Sequence, residues 1–100
     1  MSYKLFLDDL RDAPSPDWTI IRSSEDAIAL LHEFGPPMEM SLDHDLGGDD
    51  TVMVYLKAFT DMYEPANTAP PKWRVHSANP VGKQNITAFM KSWEKVFNED

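Results

Sequence analysis

Short apolar runs alternate with longer amphipathic segments along this chain. Runs of about five residues predict four β-strands: Tyr3–Leu7, Trp18–Arg22, Met38–Leu42 and Trp73–His76. Segments with apolar residues every three or four positions predict three helices: Ser24–Phe34, a second from about Thr51 to Met62, and a third from about Gly82 that presents Ile86, Phe89, Met90 and Trp93 on one face. The apolar residues of these helices are expected to form the core.

Strands that alternate with amphipathic helices are typical of the α/β class. We expect one domain over residues 1–100, built as a three-layer sandwich with a four-stranded, mainly parallel sheet and flanking helices. The segment between the first two strands contains Pro14 and Pro16 and is too short for a full crossover helix, so it is predicted to be an irregular loop. Three prolines in residues 64–72 predict a second exposed connection.

Composition and charge narrow the functional classes. The absence of cysteine excludes disulfides, thiolate metal sites and thiol nucleophiles, and is compatible with a reducing compartment. No apolar run approaches the roughly 20 residues of a membrane span, so we expect no membrane partner and a cytoplasmic protein. A formal net charge of −8 argues against a broad nucleic-acid surface, because phosphate-backbone affinity comes from Lys and Arg.

Polar residues follow three of the predicted strands at the point where each strand ends. In open α/β sheets the carboxyl ends of parallel strands are where ligands bind. If the three strands are neighbours, they bring together six side chains: Asp8, Asp9, Asp43, Asp45, His76 and Ser77.

Four carboxylates in one pocket repel each other unless protons or a cation neutralise them. A hard divalent ion that prefers oxygen ligands, Mg²⁺ or Mn²⁺, is the economical expectation, with Asp8, Asp9, Asp43 and Asp45 as ligands. Asp43 and Asp45 project on the same side of an extended chain, and His44 projects on the other. His44 is therefore either part of the site or a packed histidine at a strand end.

These strand ends resemble the receiver domains of two-component response regulators. The resemblance rests on an apolar strand followed by Asp8-Asp9, a second followed by Asp43, and a third followed by Ser77-Ala78. In that family an acidic pair holds magnesium, a central aspartate accepts phosphate, and a Ser or Thr contacts the phosphoryl group. The chain departs from the family pattern because the fifth strand and its lysine are absent.

A narrower resemblance covers nearly the whole chain. The strings LFLDDLRDAP, RSSEDAIALL, SLDHDLGGDD and VHSANPVGKQNI are similar to the cyclic-phosphate-processing receiver-like family, a divergent receiver branch. This resemblance implies a receiver-like, flavodoxin-like fold without the fifth strand. It also implies phosphate chemistry in RNA repair or nucleotide processing.

Roles carried over from this resemblance fall on particular residues. Asp8 and Asp9 would hold the metal, Asp43 would be a ligand or a nucleophile, and Asp45 would be a further acid. Ser77 and Asn79 would donate hydrogen bonds to the phosphate.

Three further residues are candidates for the same site. His76 would act as general acid, because its unperturbed pKa lies near neutrality. Lys83, in the first turn of the third helix, would replace the missing lysine or is simply exposed. Arg11 would clamp a phosphate with its planar guanidinium or is paired at the surface near Asp12.

Two functions remain open at this stage. The first is a metal-dependent phosphoesterase acting on cyclic phosphate at RNA ends or on small nucleotides. The second is a non-catalytic module that binds a phosphate ligand, or accepts phosphate at Asp43, and signals to a partner. A scaffold with a vestigial site is a third possibility.

Overall fold

The computed structural model describes residues 3–63 and 71–98. The strands are Lys4–Leu7 (β1), Trp18–Ile21 (β2), Glu39–Leu42 (β3) and Lys72–Val75 (β4). The helices are Ser24–Phe34 (α1), Val52–Met62 (α2) and Pro80–Asn98 (α3). All the predicted strands and helices are present, while most of the predicted connection over residues 64–72 lies outside the described residues.

The four strands form one parallel sheet in the order β2-β1-β3-β4. This confirms the predicted α/β class and the parallel sheet, and no fifth strand occurs in the described part of the chain. Leu7 pairs with Leu42, and Leu42 pairs with Val75. The carboxyl ends of β1, β3 and β4 are therefore level with one another.

The core lies on one face of this sheet. Side chains alternate between the faces of a strand, so Leu5 and Leu7 share one face with their register partners Met40 and Leu42. These four residues are buried in a single cluster with residues from all three helices: Ala27, Leu31, Val52, Tyr55, Leu56, Phe59, Ile86, Met90 and Trp93. The described helices thus pack together on the same side of the sheet.

The opposite face carries a different set of side chains. Phe6 is buried there without belonging to the core cluster, and it is in register with Ser41. The Trp18 ring contacts Phe6 edge-on at 6.1 Å between centroids, and Lys4 and Arg74 lie over the same indole ring. A single tryptophan with two cationic neighbours therefore covers part of the face that no described helix occupies.

Crossover handedness explains the placement of the helices. Parallel connections are almost always right-handed, so connections that run in the same direction across a sheet place their helices on the same face. The connections from β2 to β3 and from β3 to β4 both run toward β4 and contain α1 and α2. The connection from β1 to β2 runs the other way, and it is the helix-free loop that the prolines predict.

Helix α3 begins at Pro80, two residues before the predicted Gly82. The side-chain Oδ1 of Asn79 accepts hydrogen bonds from the N–H groups of Val81 at 3.0 Å and Gly82 at 3.2 Å. Asn79 is thus the N-cap and Pro80 occupies the first helical position, where its missing N–H has no cost. None of the helices in residues 3–63 and 71–98 is long and apolar enough to cross a membrane.

Candidate functional site

The ends of β1, β3 and β4 converge as the sequence predicts. The sheet hydrogen bonding continues one residue past the strands, since the N–H of Asp43 donates to Leu7 O at 2.9 Å and the N–H of His76 donates to Leu42 O at 3.0 Å. These bonds hold Asp8, Asp43 and His76 side by side at one edge of the sheet.

A cavity of about 480 Å³ opens at this edge. Its lining residues are Asp8, Asp9, Leu10, Arg11, Asp43, Asp45, Gly47, Gly48, Ser77, Ala78 and Asn79. Seven of the ten predicted site residues line this cavity, and the other three, His44, His76 and Lys83, do not. Leu10, 82% exposed at the rim, was missed because a lone exposed leucine in a loop carries no sequence signal.

Three of the carboxylates lie close enough to share a cation. Asp8, Asp9 and Asp43 each offer an oxygen, and these three atoms lie within 4.8 Å of one another. Asp45 lines the cavity but is not part of this group. The three-carboxylate cluster of Asp8, Asp9 and Asp43 is therefore the part of the site best arranged for a divalent ion.

Asp8 is buried at 1% exposure and accepts three hydrogen bonds. Its Oδ1 accepts the backbone N–H groups of Leu10 and Arg11, both at 2.8 Å, and its Oδ2 lies 2.9 Å from His76 Nε2. Burial acts to raise the pKa of Asp8, but the two backbone donors and His76 outweigh it, so its pKa lies below the ordinary value. Asp8 is ionised at neutral pH.

Asp43 is shifted in the opposite direction. Burial and the negative charge of Asp8 raise the pKa of Asp43, and they outweigh the stabilising effects of His76, the His44 N–H and the Ser77 hydroxyl. Two adjacent carboxylates with pKa values pushed apart are typical of sites where charge is used chemically. A cation between them would relieve the repulsion that raises the pKa of Asp43.

Asp45 is tied to the start of α3. Its Oδ1 lies 3.1 Å from His44 Nδ1, and its Oδ2 accepts a hydrogen bond from Asn79 Nδ2 at 3.3 Å. These two partners lower the pKa of Asp45. Asn79 therefore joins the loop between β3 and α2 (residues 43–51, the acidic loop) to the helix that it caps.

His44 packs against the first turn of α3. A Cβ atom at Gly82 would lie 2.4 Å from His44 Cγ, so the ring sits directly on the helix backbone where only glycine leaves room. Of the two interpretations of His44, the structure favours the packed histidine at the strand end. Its predicted contact with substrate stays a prediction.

His76 lies behind Asp8, away from the cavity lining. Its Nε2 faces Asp8, its Nδ1 lies 2.7 Å from Ser41 Oγ, and its ring stacks on Phe6 with centroids 4.5 Å apart. Ser41 is a neighbour that sequence reasoning missed. The available signal was a serine inside the predicted strand Met38–Leu42, but its partner becomes visible only once the register of β3 and β4 is known.

Arg11 and Ser77 both line the cavity. Arg11 is the one cationic side chain in the described lining, and its Nη1 donates to His76 O at 3.2 Å. The ion pair with Asp12 belongs instead to Arg22, whose Nη1 also donates to Arg11 O at 2.6 Å and thereby holds the loop. The surface ion pair with Asp12 that was considered for Arg11 is thus made by Arg22, and Arg11 lies in the cavity lining, where an anion could meet it.

The first turn of α3 has few groups to offer an anion. The N–H groups of Val81 and Gly82 donate to Asn79 Oδ1, and that of Lys83 donates to Asn79 O at 2.9 Å. The Lys83 residue is exposed and does not line the cavity. Its predicted role in charge compensation stays a prediction, and exposure is the simpler interpretation.

The loop after Asp45 forms part of the cavity wall through Gly47 and Gly48. Gly47 and Gly48 adopt φ values of 92° and 56°, which side-chain-bearing residues rarely adopt. Asp50 anchors the loop by accepting hydrogen bonds from the N–H of Ser24, at 2.9 Å, and from its hydroxyl. The glycines thus allow a tight turn whose far end is fixed to α1.

Comparison with known proteins supports one family. The family model described as the cyclic-phosphate processing receiver domain matches residues 3–92. Searches of curated proteins and of solved structures found no significant match. The matched range contains every residue of the cavity lining.

Proposed function

The chain belongs to the cyclic-phosphate processing receiver domain family, and from this premise we propose that it is a metal-dependent phosphoesterase that opens cyclic phosphates. The substrate class would be nucleoside cyclic phosphates, free or at an RNA end, handled in RNA repair or nucleotide processing. The observation that carries the proposal is the three-carboxylate cluster inside a cavity that also contains Arg11 and Ser77.

The residues present fit a divalent metal. Asp8, Asp9 and Asp43 would hold Mg²⁺ or Mn²⁺, since hard cations prefer carboxylate oxygens and keep several waters. Such an ion supplies a nucleophilic water at neutral pH and neutralises charge at phosphorus. The raised pKa of Asp43 supports this assignment, because crowding of negative charge is the cause that a cation removes.

The protein side chains would bind and orient the phosphate. Arg11 offers a planar guanidinium, which matches two phosphate oxygens, and the Ser77 hydroxyl offers a further donor. Asn79 has one amide hydrogen left after its bonds to Asp45 and to α3, so its main part would be to hold Asp45 in place.

Ring opening adds one water to the phosphodiester. The water oxygen bonds to phosphorus, one bond between phosphorus and a ribose oxygen breaks, and that ribose oxygen gains a proton. Asp45 is ionised, lines the cavity and lies outside the three-carboxylate cluster, so it would accept the proton of the attacking water. His76 is not assigned the general-acid role in this proposal, because its Nε2 is engaged with Asp8; solvent in the open cavity would protonate the leaving oxygen.

The activity test uses nucleoside 2′,3′-cyclic phosphates with Mg²⁺ or Mn²⁺, with chelator as the metal-free reference. We expect the monophosphate product from the wild type, and Asp43→Asn should lower the rate by at least about 100-fold. Asp49→Asn is the matched control, since it removes the same charge from an exposed residue outside the cavity lining. Intact substrate with every metal would reject the enzyme, and full activity in Asp43→Asn would reject the three-carboxylate cluster as its metal site.

One observation favours a second candidate function. Asp43 lies at the end of β3, and it lines the cavity together with Ser77, so a phosphoryl group on its carboxylate would lie near a hydroxyl donor. A non-catalytic module of this kind should gain one phosphate on Asp43 when incubated with acetyl phosphate and Mg²⁺. An unchanged mass in that incubation would reject the module.

A further inference from the structure

The ring of His76 is held between two buried polar side chains. Ser41 is 2% exposed and Asp8 is 1% exposed, and they lie at hydrogen-bonding distance from the two nitrogens of the same imidazole. The Phe6 ring lies parallel to the imidazole, with 6° between their planes. Rotation of the His76 ring would therefore break two buried hydrogen bonds and a stacking contact.

The direction of these hydrogen bonds follows from the chemistry of the groups. An ionised carboxylate only accepts, so His76 Nε2 must carry a proton and donate to Asp8 Oδ2. In a neutral imidazole the other nitrogen then accepts, so the Ser41 hydroxyl donates to Nδ1. Asp8 thus selects the Nε2–H tautomer, and the bond from Ser41 to Nδ1 holds the ring in the orientation that keeps Nε2 against Asp8.

The hydrogen bonds to Asp8 also determine how many lone-pair positions of its carboxylate remain for a cation. Each carboxylate oxygen has about two lone-pair positions. The N–H groups of Leu10 and Arg11 occupy both positions on Oδ1, and His76 occupies one on Oδ2. One position on Oδ2 remains, so Asp8 can bind a cation through that single oxygen.

We propose that Ser41 and His76 are positioning residues for the metal site, because Ser41 fixes the orientation of the His76 ring and His76 fixes the Asp8 oxygen that binds the cation. This inference rests on the proposed function. The Ser41, His76 and Asp8 side chains have the connectivity of a hydrolase triad, but a serine at 2% exposure has no access to a substrate. The hydrogen bonds that link Ser41, His76 and Asp8 therefore act on the metal site through Asp8. Partners that orient metal ligands commonly contribute 10- to 100-fold to metal affinity.

The first measurement is the tautomer of His76 in metal-free protein, from the ¹⁵N shifts of the imidazole nitrogens at a pH where histidine is neutral. The chain has three histidines, so the signals can be assigned with single variants. We expect a single Nε2–H tautomer in the wild type and in Ser41→Thr, which keeps the hydroxyl. In Ser41→Ala the ring can turn away from Asp8, so a mixture of the two tautomers is expected.

The second measurement is the dissociation constant for Mn²⁺, from the spectroscopic signal of the free ion. Ser41→Ala should weaken binding roughly 10-fold, and Ser41→Thr should restore it. His76→Gln places an amide near the position of Nε2 and should bind Mn²⁺ more tightly than His76→Asn, whose amide lies near the position of Nδ1. Ser92→Ala, an exposed serine on α3, is the control for the substitution itself.

The outcomes separate the inference from the proposed function. A folded Ser41→Ala that binds Mn²⁺ as tightly as the wild type would overturn the inference, as would equal affinities in His76→Gln and His76→Asn. A wild type that binds no Mn²⁺ would reject the proposed metal site and the inference together. Weaker binding in Ser41→Ala, with a changed tautomer and recovery in Ser41→Thr, supports the positioning roles.

Discussion

Two aspartates at the ends of adjacent strands have pKa values shifted in opposite directions, because their carboxylates have different hydrogen-bond donors and neighbours. Asp8 accepts two backbone N–H groups and faces His76, and its pKa falls. Asp43 has fewer donors, and burial together with the negative charge of Asp8 raises its pKa. The sequence predicts that both acids lie at one sheet edge, but not which is stabilised, because the donors come from loop geometry and from β4.

This difference predicts that substitutions of the two aspartates have opposite effects on the free energy of unfolding in metal-free buffer. Asp43→Asn removes a strained charge and should raise the free energy of unfolding by about 1 kcal/mol. Asp8→Asn leaves an amide facing the His76 donor and should lower it by about 1–3 kcal/mol. The measurement is urea unfolding of both variants and of Asp49→Asn, which should match the wild type.

The pH dependence of the Asp43→Asn effect has a definite sign. A carboxyl whose folded pKa is raised weakens the folded state only where it is ionised, so the loss grows as pH rises through that pKa. The advantage of Asp43→Asn should vanish below the ordinary Asp value of 3.8 and appear above it. A gain that is constant across this range would contradict the stated cause.

At the scale of elements, the apolar periodicity predicts that a helix exists better than it predicts where the helix begins. The apolar spacing identifies each helix because it reflects burial against the sheet. The start of α3 depends instead on the side chain of Asn79, which caps the helix two residues earlier than the apolar pattern indicates. Ser23 is the contrasting case, since its cap on Asp26 N–H belongs to a sequence pattern that can be recognised.

The contact between α3 and the acidic loop predicts a specific role for Gly82. In Gly82→Ala the new methyl group would overlap His44 Cγ and Cβ, at 2.4 and 2.6 Å, so the ring or the helix must move. We expect a loss of about 1–3 kcal/mol in unfolding free energy, as for other overpacked sites. Circular-dichroism melts of Gly82→Ala provide the measurement.

Two controls locate the cause of that loss. Val81→Ala, at an exposed neighbouring position, should be nearly neutral. His44→Gly removes both overlapping atoms, so Gly82→Ala should cost much less in that background. Equal costs in the two backgrounds would show that His44 is not the obstacle.

At the scale of the molecule, the sequence predicts the sheet correctly, but it predicts helices on both faces of the sheet. A three-layer sandwich is expected from alternating strands and helices, whereas the described helices share one core cluster on one face. The physical reason is the helix-free connection from β1 to β2, the one whose crossover direction leads to the other face. The exposed face of the sheet then depends on its own side chains, and Trp18 is the largest of them.

Trp18 should therefore contribute more to stability than its position at a sheet edge suggests. Its indole contacts Phe6, which is only 5% exposed, so Trp18→Ala would open Phe6 to water and remove the ring beside Lys4 and Arg74. We expect a loss of about 2 kcal/mol by urea unfolding, comparable to exposing one large apolar side chain. Ile20→Ala, on the same face and strand but 37% exposed, should cost less. Equal costs in the two variants would show that Trp18 does not protect Phe6 more than Ile20 does.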